Sequence, residues 1–167
     1  MTYVGKKPAD IIATAVDTTT GTFSGDLTVD TNTLFVDSAN NSVGIGTTDI
    51  VNNSGYNSLR LGSAGNVQAY TSTSNGNIFI AEGAAINSAG NWEYLRSDFA
   101  TYYRQGDGTH IWASAPSGSD GNTVSFSERM RIDSSGNVGI GTNSPSARLT
   151  VSELASTTLA GSCPVAR

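Results

Sequence analysis

The sequence predicts an all-β chain of short antiparallel strands and hairpins, arranged as a meander or a sandwich. Three observations predict it: a hairpin phrase that occurs twice, short apolar runs broken by Gly and Asn along most of the chain, and too few large apolar residues for a thick core. Phe35-Val-Asp37-Ser-Ala-Asn-Asn-Ser-Val43-Gly-Ile45-Gly-Thr47 returns as Arg131-Ile-Asp133-Ser-Ser-Gly-Asn137-Val138-Gly-Ile140-Gly-Thr142. A repeated phrase marks a repeated structural unit. Each copy reads as a strand ending in Asp, a polar turn, and an alternating Val-Gly-Ile-Gly strand that stops at Thr. In such a strand Val43 and Ile45, or Val138 and Ile140, point to one face. Gly44 and Gly46, or Gly139 and Gly141, present bare backbone on the other, where another chain or strand can approach closely. These residues are the candidate close-approach assembly sites.

The remaining elements follow in order. Residues 1–16 hold the only segment suited to a short helix, with Pro8 in a first turn before Ala9, Ile11, Ile12, Ala13 and Ala15, although Ile11, Ile12 and Thr14 suit a strand equally well. Residues 17–47 form a Thr-rich stem with short strands at Phe23, Leu27–Val29 and Leu34–Val36, ending in the first hairpin. Residues 48–121 form a central domain with runs at Leu59–Leu61, Val67–Tyr70, Ile78–Ile80, Trp92–Leu95, Thr101–Arg104 and His110–Ala113. Residues 122–151 run from Thr123–Phe126 through the second hairpin to Leu149–Val151, and residues 152–167 form a tail without pattern.

Composition sets limits on partners and stability. The chain has 167 residues, 14% charged, with a net charge of −5. Leu, Ile, Val and Phe make up roughly a fifth of it, near the level where disorder becomes a concern, but disorder also needs high net charge. A thin core leaves folding close to its entropy cost, and association adds burial that one chain cannot supply, so self-association is expected. Nine Lys plus Arg against fourteen Asp plus Glu give no basic stripe for nucleic acid, and anionic lipid should repel the chain. No apolar run is long enough to span a bilayer, so membrane insertion is not expected, and the N-terminus lacks the apolar core of a secretory signal. The single Cys163 excludes an internal disulfide framework.

The run Ser127-Glu-Arg-Met130-Arg-Ile-Asp-Ser-Ser-Gly-Asn-Val-Gly-Ile-Gly-Thr142-Asn-Ser-Pro145-Ser-Ala-Arg-Leu149-Thr-Val151 resembles a segment of tailed-bacteriophage fibre proteins, especially those of aquatic hosts. Phe99 to Gly118, with Thr109-His110-Ile111-Trp112, resembles the stretch that often precedes it, and the first hairpin with Gly25-Asp-Leu27-Thr-Val29 resembles it more weakly. The resemblance implies an intertwined homotrimer and a non-enzymatic virion structural protein. It leaves two roles: a tail-fibre subunit for host adsorption, or a capsid decoration (head-fibre) protein that stabilises the head. Partners would be other copies, other virion proteins of the tail or capsid, and a host surface glycan. Tyr3, Lys6, Lys7, Ile11 and Ile12 combine basic charge with a compact apolar patch and are the candidate virion-docking arm.

Enzyme chemistry has little sequence support, and no cofactor or metal is expected. Gly44-Ile-Gly46 and Gly139-Ile-Gly141 lack the third glycine and following helix of a dinucleotide loop. A triad would rest wholly on His110, with Ser114 or Ser125 outside any nucleophile elbow, and a single histidine does not make the paired axial metal site of some phage fibres. Glu93, Asp98, Asp107, Asp120 and Glu128 could form a glycosidase pair only if two lie roughly 5 to 10 Å apart. Trp92, Tyr94, Tyr102, Tyr103, Arg104 and Trp112 cluster in one stretch and are the candidate glycan contacts, which keeps a carbohydrate-binding module as an outside reading. The competing reading, weighted higher, makes these aromatics the core of a domain otherwise short of large apolar residues.

Overall fold

The computed structural model describes residues 26–30, 33–51, 55–71 and 76–152. The helix-or-strand segment 1–16, with docking candidates Tyr3, Lys6, Lys7, Ile11 and Ile12, lies outside the described residues, as do Phe23, Cys163 and the tail beyond Ser152.

The described residues are all-β and contain no helix. The strands are β1 (Leu27–Val29), β2 (Leu34–Asp37), β3 (Ser42–Ile45), β4 (Tyr56–Leu61), β5 (Gly65–Tyr70), β6 (Asn77–Glu82), β7 (Ala84–Ile86), β8 (Trp92–Tyr94), β9 (Asp98–Gly106), β10 (Thr109–Gly118), β11 (Ser127–Ile132), β12 (Val138–Ile140) and β13 (Leu149–Val151). Eleven build one sheet in chain order, with β9 beside β6, while β7 and β8 leave to form a two-stranded sheet. Most neighbours are antiparallel, as alternation with short turns dictates. Two pairs, β3 with β4 and β12 with β13, are parallel.

The repeated unit is larger than the repeated phrase. The Asp37 carboxylate accepts the N–H groups of Ala39 and Asn40, both at 3.0 Å, and the Asn40 amide at 2.7 Å. Asp133 accepts those of Ser135 (2.9 Å) and Asn137 (2.8 Å) and the Asn137 amide at 3.1 Å. These Asp-centred turns close both hairpins. After each hairpin Thr47 or Thr142 caps a second turn by accepting the N–H of Asp49 (3.0 Å) or Ser144 (3.2 Å). The chain then returns parallel to the glycine strand, with Val43, Gly44 and Ile45 opposite Leu59, Arg60 and Leu61, and Val138, Gly139 and Ile140 opposite Leu149, Thr150 and Val151. With the antiparallel β1 and β10 in front, the same four-strand unit is built twice, at β1–β4 and β10–β13.

The small sheet packs over one face of the large one. Gln68, fully buried, accepts the Ile86 N–H at 2.9 Å and donates to the Ile86 carbonyl at 3.2 Å, so its carboxamide acts as a surrogate strand edge for β7. Ala84, Tyr94, Ala100, Ala115 and Val124 form the buried cluster, with Trp92 and Phe126 against it. β7 has no counterpart among the expected strands, because Ala84-Ala85-Ile86 is apolar without alternation. The expected strand at Thr123–Phe126 is reduced to a single bridge between Thr123 and Glu93.

Candidate functional site

The bare backbone of the glycine strands is closely approached within the chain itself. A Cβ on Gly139 would lie 2.6 Å from the Thr142 carbonyl oxygen, and one on Gly44 would lie closer still to the Thr47 carbonyl. At Gly44 and Gly139 the close approach is made by the chain's own threonine turn. Gly46 and Gly141 leave the strand with φ of 72° and 70°, the left-handed conformation that starts that turn.

The aromatic stretch divides between the two faces of the sheet. Trp92 stacks on Tyr102 with centroids 5.2 Å apart and 8° between planes, and Phe79 and Phe126 meet both rings edge-on. Tyr94 is buried and donates from its hydroxyl to the Pro116 carbonyl. These rings are core. Burial raises the Tyr102 phenol above its ordinary value, with nearby Arg104 acting in the opposite direction. Arg104 shares the Tyr102 face and donates to Thr109 at 3.0 Å. Tyr103 and Trp112 lie on the opposite face, 4.9 Å apart, and the Tyr103 hydroxyl meets His110 Nδ1 at 2.5 Å.

That opposite face carries the most distinctive arrangement in the molecule. The ladder registers align Val36, Val43, Leu59, Val67, Ile80, Tyr103, Trp112, Met130, Ile140 and Val151 in one row across ten consecutive strands. No position in the row is charged, and none is buried. Ile80 is 53% exposed and Trp112 37%. Around Ile80, Tyr103 and Trp112 the face sinks into a cleft of about 400 Å³, rimmed by Glu82, Thr101 and Arg129. Candidate assembly residues Val43, Ile45, Val138 and Ile140 all belong to this face.

The covered face has the reverse character. The largest fully buried side chains are Arg60, Gln68 and Asn66. Among the described residues Arg60 donates only a long 3.4 Å bond to the Ser63 carbonyl, and its Nε and Nη1 and both amide atoms of the facing Asn66 have no partner. Burial lowers the guanidinium pKa, partly offset by Asp49. Strand alternation alone reads these polar residues as solvent-facing, so the sequence misses them.

The catalytic candidates hold other partners. Glu128 takes Arg131 in a two-point ion pair (2.6 and 2.7 Å), Asp98 pairs with Arg96 at 3.2 Å, Asp107 lies 3.9 Å from Arg104, and Glu93 accepts the Asn87 amide at 3.0 Å. Ser114 accepts Arg129 Nε at 2.7 Å, while His110 faces Tyr103. Among the described residues no group of His, Cys, Asp and Glu is placed to hold a metal. No protein-family model, curated protein or solved structure matches the chain.

Proposed function

We propose that this chain is a non-enzymatic structural subunit of a tailed-bacteriophage virion, a homotrimeric tail-fibre protein displayed on the particle for host adsorption. The observation that carries the reading is the four-strand unit built twice by the same contacts. The phrase that resembles phage fibres is the part that makes the Asp turn, the Thr turn and the parallel return strand, so each copy lengthens the sheet by whole strands. Linear growth of this kind suits a shaft.

The alternative is a capsid decoration protein that stabilises the head. A glycan contact, if the protein makes one, rests on Tyr103 and Trp112, because Trp92, Tyr94 and Tyr102 are engaged in the core. Antibody-labelled electron microscopy of purified particles tests the proposal. Label at the tail supports the fibre role, label over the head supports decoration, and particles without label overturn both.

A further inference from the structure

We infer that the open apolar face of the large sheet is where copies of this chain meet, sheet against sheet. The inference deepens the proposed function by naming the surface of self-association, and it rests on the geometry of the sheet rather than on the resemblance.

The other face of the same strands is covered by the small sheet and by the threonine turns, so among the described residues only one face lacks a cover. That face is large enough for a stable association. It is about 48 Å long, and two or three alternate side chains per strand make it about 15 Å wide. The product, about 700 Å², is close to the roughly 800 Å² per partner of a standard stable interface.

Its chemistry favours an identical partner. The row offers no charge with which a differently charged partner could pair, and at its rim Glu82 is paired with Arg96 while Arg129, which donates to the Ser114 hydroxyl, keeps its charge at the edge. A chain of net charge −5 therefore meets its copy here without placing like charges in contact along the row. The row also repeats at the spacing of the strands, and a second copy carries that same spacing. Ridges of one sheet thus find grooves of the other over the full length, as in sandwiches whose sheets lie about 10 Å apart. Trp112 and Tyr103 are the large rings at the middle of the row, the position where interface anchors contribute most.

The test compares solution masses of the full chain, by light scattering after size exclusion, for the wild type, Ile80→Glu, Trp112→Glu and the control Ser88→Glu in the exposed β7–β8 turn. The wild type and control should be oligomeric, while Ile80→Glu and Trp112→Glu should self-associate at least tenfold more weakly. Circular dichroism checks that the variants fold. As a measurement independent of folding defects, Ile80→Cys in a Cys163→Ser background should form a disulfide between copies on mild oxidation. A monomeric wild type, or folded Ile80→Glu and Trp112→Glu oligomers of unchanged mass, would overturn the inference. A mass of two copies would support this face as the interface and contradict the trimer of the proposed function. The position of the protein on the particle is settled separately by antibody label.

Discussion

Along β4 and β5 the same strands serve two unlike environments. Arg60, Asn66 and Gln68 point into the layer that the chain covers for itself, while Leu59, Leu61 and Val67 point to the face that it leaves open. The covered layer is closed by hydrogen bonds such as Gln68 with Ile86, and by a compact knot of aromatic rings near β8. The open face places aliphatic and aromatic side chains in solvent across the whole sheet. Apolar surface is normally what a chain hides first. Among the described residues amides are hidden while valines and isoleucines stay uncovered, the pattern expected of a surface that meets another molecule.

The two faces should differ most at the two tryptophans. Trp92→Ala removes a ring stacked on Tyr102 and wedged between Phe79 and Phe126, and should cost about 3–5 kcal/mol in denaturant unfolding. Trp112→Ala in the dissociated chain should cost only about 1 kcal/mol. Equal costs would mean that the open face is part of the chain's own core.

Next in size are the glycines. Gly44→Val and Gly139→Val drive a side chain into a backbone carbonyl of the same chain and should each cost about 2–3 kcal/mol, more at Gly44. Thermal melts of dissociated protein check this. Unchanged melts with altered assembly would return the close approach to a second chain.

A smaller effect concerns pH and the turn of the second hairpin. The Asp133 carboxyl is held below its ordinary value of 3.8, chiefly by the Asn137 N–H and further by the Asn137 amide and the Ser135 N–H. A carboxyl depressed in the folded state contributes stability above its unfolded value and loses it as pH falls through the folded one. Asp133→Asn should therefore lower the melting temperature at pH 7 and flatten its decline below about pH 4. An acid profile identical to the wild type would remove this turn from the account.

The smallest expected loss is at Arg60. Its guanidinium is buried with two nitrogens unpartnered, so Arg60→Met should leave stability unchanged or raise it by about 1 kcal/mol. A loss above about 2 kcal/mol in chemical denaturation would show that the covered face depends on that charge.

Much of this architecture is legible in the sequence, because turn chemistry is local. Asp37, Asp133, Gly46 and Gly141 mark the hairpin ends in the residues themselves, and the all-β class follows from them and from the alternating runs. Whether the strand after each hairpin pairs parallel depends on how Thr47 and Thr142 turn the chain, which strand pattern does not encode. Alternation likewise separates Leu59 from Arg60 but does not tell which of them the protein covers. That choice is made by β7, a strand hidden in Ala84-Ala85-Ile86, and by the Gln68 amide that holds it. The apolar row needs the registers of ten strands at once, so no single stretch of sequence displays it.

The comparison of the faces comes down to solvent at Trp112. Labelling both tryptophans with 5-fluorotryptophan gives two fluorine resonances, assigned with Trp112→Phe, whose shift between light and heavy water reports contact with solvent. The Trp92 resonance should be shielded at every protein concentration, and the Trp112 resonance should be solvated in dilute protein and become shielded as copies associate. A Trp112 resonance equally solvated from the most dilute to the most concentrated sample would contradict this.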